Sequence, residues 1–257
     1  MSGRLPLPDV VIGGAPRSGT TFLTEVLGKH PGVFLARPIA PEPKVCLREH
    51  PDGDEGYRAD YAHFFNDAPA GAIRIEKTTN YFENDPARAR LARILPEARF
   101  LFILREPVSR AYSNWKWSRL NGLETLPFAE AIALEGQRPN PFGKEREAAR
   151  PFDYMSRGRY GTLAAAWYES FGRDRVHFVL FEDFVRNPEA AVSSLQTWLG
   201  IDPLPWSALQ AGKVNATPED VSGLDPAIEA ELRAQLGPEI EKFKRLSGID
   251  LASWDYP

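Results

Sequence analysis

Short apolar runs recur along the chain, each closed by a polar or glycine-rich junction and followed by a segment with helical spacing. Val10 to Gly13, Val33 to Leu35, Ala72 to Glu76, Arg99 to Leu104 and Val176 to Phe181 read as strands. The Arg99 to Leu104 run is almost wholly apolar, the pattern of a parallel strand covered on both faces. Helical spacing spans Thr20 to Lys29, Tyr57 to Phe65, Asp85 to Leu95, Val108 to Arg119, Phe128 to Glu135, Tyr160 to Phe171, Pro188 to Leu199 and Pro226 to Leu246. Asp85 is placed as an N-cap with Pro86 at the first helical position. Between these elements lie a Pro-rich stretch from Pro38 to Pro43 that lines a surface or cleft, a polar segment at 137–153 expected to be a mobile excursion, and a late loop at 203–223.

Strands alternating with helices imply right-handed crossovers and a mostly parallel sheet. The expectation is one α/β domain over residues 1–257, a mostly parallel central sheet flanked by helices in a P-loop-like architecture. Its core covers about 9–200, and a C-terminal loop and helix occupy 201–257. At 257 residues the chain can bury roughly 70–75% of its unfolded surface. A net charge of −4 argues against a nucleic-acid partner. Cys46 is the single cysteine, and the histidines His30, His50, His63 and His177 are scattered, so neither an intrachain disulfide nor a metal site is expected. Without a signal-like or transmembrane-length segment, the chain is expected to be cytoplasmic, with no membrane partner.

Ligands of such sheets sit at the carboxyl ends of the strands, where the polar motifs of this chain fall. The first strand runs into Gly13-Gly14-Ala15-Pro16-Arg17-Ser18-Gly19-Thr20-Thr21. Gly14 and Gly19 have the spacing of a nucleoside-triphosphate loop, but Thr20 stands where its lysine belongs. Unpaired N–H groups at a helix N-terminus and its dipole attract an anion. Gly19 permits close approach; Ser18, Thr20 and Thr21 add hydroxyls; Arg17 adds a fork for oxyanions. The competing reading is a simple Gly-Thr helix start. A second junction, Leu104-Arg105-Glu106-Pro107, is followed one helical turn later by Ser109, Arg110 and Ser113. An arginine and a hydroxyl there suit a second phosphate; the alternative is an Arg105–Glu106 surface pair on a solvated helix start. A nucleoside triphosphatase would more often hold Mg²⁺ with an aspartate at that strand end.

Together these motifs resemble those of the sulfotransferases that use 3′-phosphoadenosine-5′-phosphosulfate (PAPS) and release the bisphosphate PAP. The segment from Pro16 to Thr21 is similar to their 5′-phosphosulfate loop, and Arg105 with Ser113 to their 3′-phosphate motif. Glu42-Pro43-Lys44, Glu76-Lys77-Thr78-Thr79-Asn80-Tyr81-Phe82, Gly158-Arg159-Tyr160-Gly161 and Phe181-Glu182-Asp183-Phe184 resemble segments of the heparan-sulfate-type branch. The resemblance implies donor binding by Pro16, Arg17, Ser18, Gly19, Thr20, Thr21, Arg105, Ser113, Tyr160 and Lys213, and no metal. It implies Glu42 as general base, with Lys77 and Arg17 as catalytic cations. Arg17 replaces the lysine the family often carries, and the histidine and aromatics usual after the glutamate are missing.

The implied reaction moves a sulfuryl group from PAPS to a hydroxyl, or less readily an amine, of a saccharide or small metabolite. His63 is the alternative base, although its setting suits packing on the core. His30 is expected to favour the helix dipole; Trp115 and Trp117 are candidates for an acceptor groove against the commoner reading of plain packing; and Arg157 and Arg159 are candidates to face the 3′-phosphate. Rival readings are an ATP-dependent small-molecule kinase and a nucleotide-binding module without turnover. Acceptor identity and oligomeric state are not encoded in any motif.

Overall fold

The structure is a computed structural model and describes residues 5–210, 223–254 and 256. Five strands form one sheet: β1 (Val10–Gly14), β2 (Val33–Leu35), β3 (Ile73–Lys77), β4 (Arg99–Leu104) and β5 (Val176–Leu180). Their order is β2-β3-β1-β4-β5, and every pairing is parallel. The helices are α1 (Thr20–Leu27), α2 (Gly53–His63), α3 (Asp85–Ile94), α4 (Pro107–Leu120), α5 (Phe128–Ala133), α6 (Tyr160–Phe171), α7 (Phe181–Arg186), α8 (Pro188–Leu199), α9 (Trp206–Leu209) and α10 (Pro226–Ser247).

Period-two alternation in the buried strands separates two cores. On β4, Phe100, Phe102 and Leu104 face one layer with Trp167, Phe171 and Phe243 of α6 and α10. Leu101 and Ile103 face the other, with Leu23 and Val26 of α1 and Leu195 of α8. Phe102 meets Trp167 at 4.7 Å and Phe178 at 5.5 Å between ring centroids. Truncating such a side chain to alanine costs about 3–5 kcal/mol.

The chain winds outward from β1 to β2 on one side and, after β3, crosses to β4 on the other. The strand order therefore switches between β1 and β4, where open α/β sheets hold their ligands. Ala15 donates its N–H to the Ile103 carbonyl at 2.9 Å, so the loop after β1 is sewn to the end of β4.

Several local readings need correction. Asn84, not Asp85, caps α3: its side-chain oxygen accepts from Ala87 N–H at 2.9 Å. Asp85 is the first helical residue and pairs with Arg88. Helix α2 starts at Gly53, earlier than its apolar pattern suggests, because Tyr57 and Tyr61 supply the buried face of an otherwise polar segment. The 137–153 segment is tied at its two flanks: Arg138 forms a two-pronged ion pair with buried Glu124 at 2.8 and 2.9 Å, and Tyr154 Oη donates to the same carboxylate at 2.7 Å. The arginine and tyrosine pull the Glu124 carboxyl down to about 2 against the opposing effect of burial. The late loop contains the short α9, and its residues 211–222, including Lys213, lie outside the described residues.

Candidate active site

Three strand ends supply the polar chemistry. After β1, the chain passes through Arg17, whose φ of 67° is left-handed, and Gly19 at φ 87°. A Cβ on Gly19 would lie 2.6 Å from the Phe181 ring, so position 19 needs glycine for conformation and for space. Leu23 N–H is bonded to the Gly19 carbonyl at 3.0 Å, which opens α1. The first-turn N–H groups ahead of Leu23 have no intrahelical acceptor, and no side chain caps this end. Thr20 is buried and Thr21 exposed beside them.

After β4, Arg105 and Glu106 are both buried, at 8% and 4% exposure, which rules out the surface pair. Glu106 caps α4 by accepting from Val108 N–H and Ser109 N–H at 3.1 and 2.6 Å. Arg105 lies 5.5 Å from the Phe181 ring centroid. One turn into α4, Ser113 accepts from Arg17 Nε at 3.2 Å. This bond joins the two motifs across 96 residues of sequence.

Tyr160 is placed differently from its expected role. Its ring is fully buried and its hydroxyl donates to the Arg105 carbonyl at 2.9 Å. It offers no surface to a ligand and instead fixes the backbone that carries Arg105. Ser18 is likewise buried, so within the loop it is Pro16, Arg17, Thr20 and Thr21 that reach the cavity. Glu182 plays a supporting part that the motif alone does not explain. It accepts from Glu106 N–H at 2.9 Å and from Trp254 Nε1 at 2.7 Å, tying β4, α7 and the C-terminal segment together.

β3 ends in Glu76-Lys77 and runs on into Thr78-Thr79, and alternate residues serve opposite sides. Lys77 Nζ lies 3.1 Å from Glu42 Oε1, and Thr79 donates its N–H and its hydroxyl to the Glu42 carboxylate at 3.3 Å. Glu76 and Thr78 turn into the interior. The Glu42–Lys77 pair, 35 residues apart in sequence, is partly buried, and it sits where the Pro-rich stretch passes the end of β3.

Arg17, Thr20, Thr21, Glu42 and Thr79 line one open cavity of about 1200 Å³. One wall comes from the loop after β2 and from α2, with Lys44, Arg48, His50 and His63; the other comes from α4 and the excursion, with Asn114, Trp117, Phe142 and Arg146. His63 is exposed on the rim and not packed on the core as its setting suggested. Trp117 faces the cavity, but Trp115 stacks on Tyr112 at 5.4 Å and donates Nε1–H to Leu126 O, a packing role. Arg157 lines the cavity while held 2.9 Å from Glu83; Arg159 is exposed and paired with Glu239 on α10. His30 accepts Gly32 N–H at Nδ1, which leaves Nε2–H for the Asp202 carbonyl. Both ring nitrogens are thus engaged in local bonds at the turn after α1. Among the described residues no His, Cys, Asp and Glu cluster could hold a metal ion, and no helix is long and apolar enough to cross a membrane.

With the loops, strand ends and carboxylate in place, comparison with known proteins is informative. The model of the Sulfotransferase family matches residues 8–68 and 55–207. The chain belongs to the sulfotransferase family. It is 25% identical over 99% of its length to a mouse heparan sulfate glucosamine 3-O-sulfotransferase 3B1, covering 66% of that protein. It is 24% identical over 96% of its length to a Caenorhabditis elegans bifunctional heparan sulfate N-deacetylase/N-sulfotransferase 1, covering 31% of it. The chain thus spans less than two thirds of these relatives, and they bear out the resemblance to the heparan-sulfate-type branch. A sulfotransferase structure from Alicyclobacillus acidocaldarius superposes with a TM-score of 0.75 at 25% identity, over 97% of this chain and 99% of that one. A mouse sulfotransferase complexed with PAP shares the fold at a TM-score of 0.58 and 16% identity, covering 99% of this chain and 90% of that one.

Proposed function

We propose that this sulfotransferase family member transfers a sulfuryl group from PAPS to a hydroxyl, or less readily an amine, of a saccharide or small metabolite. The observation that carries the reading is the convergence of three strand ends on one cavity. The loop after β1 lines one side, with Arg17 bonded to Ser113 of α4 behind it, and Glu42 lines the other, held by Lys77 and Thr79 at the end of β3; Arg105, Ser113 and Lys77 stand behind these residues and not in the cavity wall itself. The donor set fits a ligand with phosphates at two separated places: uncapped N–H groups and hydroxyls after β1 for the phosphosulfate, Arg105 and Ser113 after β4 for the 3′-phosphate. Lys213, in the same donor role, is part of the proposal on resemblance alone. Branch relatives named for heparan sulfate favour a saccharide as acceptor.

In this mechanism Glu42 accepts the proton of the acceptor hydroxyl as that oxygen attacks sulfur. Thr79 fixes the carboxylate from below through two donors. Lys77, 3.1 Å from the base, supplies positive charge next to the reacting atoms. Arg17 holds the bridging oxygen side of the donor, and its bond to Ser113 keeps the guanidinium plane fixed between the two phosphate sites. PAPS itself supplies the activated sulfuryl group. Cations preorganised where charge develops are the largest expected contribution to rate, worth about 3–4 kcal/mol per donor.

Thermal melting with PAP, compared with ATP plus Mg²⁺, tests the reading. PAP at a hundred times its Kd stabilises by about 2.7 kcal/mol. The expected result is a higher Tm with PAP that Arg105→Ala abolishes. A rise with ATP and Mg²⁺ alone would favour the kinase.

A further inference from the structure

Behind the Glu42 loop lies a polar cluster that the proposed chemistry does not use. Glu76, Thr78, Tyr61, Tyr81 and Cys46 are all fully buried. Thr78 Oγ1 donates to Glu76 Oε2 at 3.0 Å and accepts the Lys44 N–H at 3.0 Å. Tyr81 Oη accepts the Cys46 N–H at 3.0 Å and lies 3.1 Å from Tyr61 Oη, which is 3.3 Å from Glu76 Oε1. Two backbone N–H groups of the loop that carries Glu42 are therefore tethered to hydroxyls, and both hydroxyls lead to one carboxyl group.

A hydroxyl has a single proton. When Thr78 commits its proton to Glu76, its lone pairs face Lys44 N–H, and the tether has a defined direction. Lys44 needs that hold. It sits at φ 55°, a left-handed conformation that an ordinary side chain adopts only when its surroundings enforce it. Burial pushes the Glu76 carboxyl up to about 8, and the nearby Glu42 charge adds to this. The geometry serves the protonated form as well, with Oε2 still accepting from Thr78 and Oε1–H donating a hydrogen bond to Tyr61 Oη. Both forms keep the Thr78 acceptor in place.

We infer that Glu76, acting through Thr78, is a positioning residue for the proposed base: it sets the path of residues 42–46 so that Glu42 meets Lys77 and Thr79. This rests on the assignment of Glu42 as base. Strand alternation is what makes it possible, since 76 and 78 orient the loop from inside while 77 and 79 grip its carboxylate from the cavity side. A misplacement of the order of 1 Å in a reacting group costs about a hundredfold in rate.

The test compares Thr78→Val, Thr78→Ser, Glu76→Leu and Glu76→Gln with the wild type and with Glu42→Gln. The readouts are hydrogen exchange at the Lys44 and Cys46 amides, PAP affinity by calorimetry, and the transfer rate at saturating PAPS. Thr78→Val is expected to speed Lys44 exchange about tenfold or more while Cys46 stays protected by Tyr81. Its kcat should fall about tenfold to a hundredfold with PAP affinity unchanged. Thr78→Ser should recover most of the rate. Glu76→Gln retains an acceptor for Thr78 and should lie well above Glu76→Leu. Unchanged Lys44 exchange in both Thr78→Val and Glu76→Leu would overturn the tether. Faster exchange with undiminished kcat would overturn its role in positioning. Full activity in Glu42→Gln would instead sink the base assignment and leave the exchange result to decide the tether alone.

Discussion

The proposed donor end of the cavity and its proposed acceptor walls are built on different physical terms. At the donor end, the ligand groups belong to backbone and side chains within a few residues of β1 and β4, and the sheet register itself brings them together, with Ala15 bonded to Ile103 and Arg17 to Ser113. On the acceptor side, neither wall contains a strand. The loop holding Glu42 is fixed by the buried hydroxyls of Thr78 and Tyr81 just past β3, and the excursion facing it is fixed by Glu124 with Arg138 and Tyr154. On the proposed reading, the parallel sheet holds the donor groups and buried polar networks hold the loops of the acceptor side.

The largest expected effect separates the two ends by kinetics. Glu42→Gln should lower kcat about a hundredfold to ten-thousandfold while leaving PAP affinity intact, as read by steady-state rates beside calorimetry. Arg105→Ala should do the converse. Loss of a buried cation from its anion costs about 2–5 kcal/mol, so PAP binding should weaken by roughly thirtyfold or more. A loss of PAP affinity in Glu42→Gln would break the division between the ends.

A smaller effect should mark the excursion. Glu124→Gln keeps the shape but removes the charge that Arg138 and Tyr154 share. It should cost about 2 kcal/mol, roughly 4–8 °C in Tm, and weaken acceptor use without changing PAP affinity. Calorimetric melting with and without PAP reads both.

The smallest effects are pH slopes, opposite in sign at the two acceptor-side networks. The Glu76 carboxyl is raised to about 8 by burial, so the folded state keeps a proton the unfolded chain releases. Its contribution to stability falls as pH rises from about 4.5 towards 8. The Glu124 carboxyl is held down at about 2, so its contribution is present above about 4.5 and lost as pH falls towards 2. Denaturant unfolding across pH should show Glu76→Gln flattening the first slope and Glu124→Gln the second.

The same contrast explains what the chain revealed as sequence. The strands, the two cores and the donor loop are local patterns: apolar runs, glycines at fixed spacing, an arginine just past a strand. The corresponding elements were readable to within a few residues, and Tyr160–Phe171 and Pro188–Leu199 to the residue. Arg17 to Ser113 and Glu42 to Lys77 joined motifs already singled out. The errors fall where individual hydrogen bonds decide. Asn84 outcompetes Asp85 as cap because its side chain reaches Ala87 N–H. The excursion is tied at its flanks because Glu124 lies buried across from it, and no pattern within 137–153 says so. Tyr160 turned inward to hold a carbonyl rather than outward to a ligand. Thr79 and Glu76 were missed as individual residues, although the alternation in Glu76-Lys77-Thr78-Thr79 at a strand end was the available signal.

The most direct test of the account is transfer of labelled sulfur from PAPS to a panel of saccharide acceptors, measured without added metal in the wild type, Glu42→Gln and Arg105→Ala. The account predicts labelled product with the wild type, a collapse of kcat in Glu42→Gln with donor affinity kept, and a loss of donor binding in Arg105→Ala. PAPS-dependent transfer that proceeds at the wild-type rate in Glu42→Gln would contradict it.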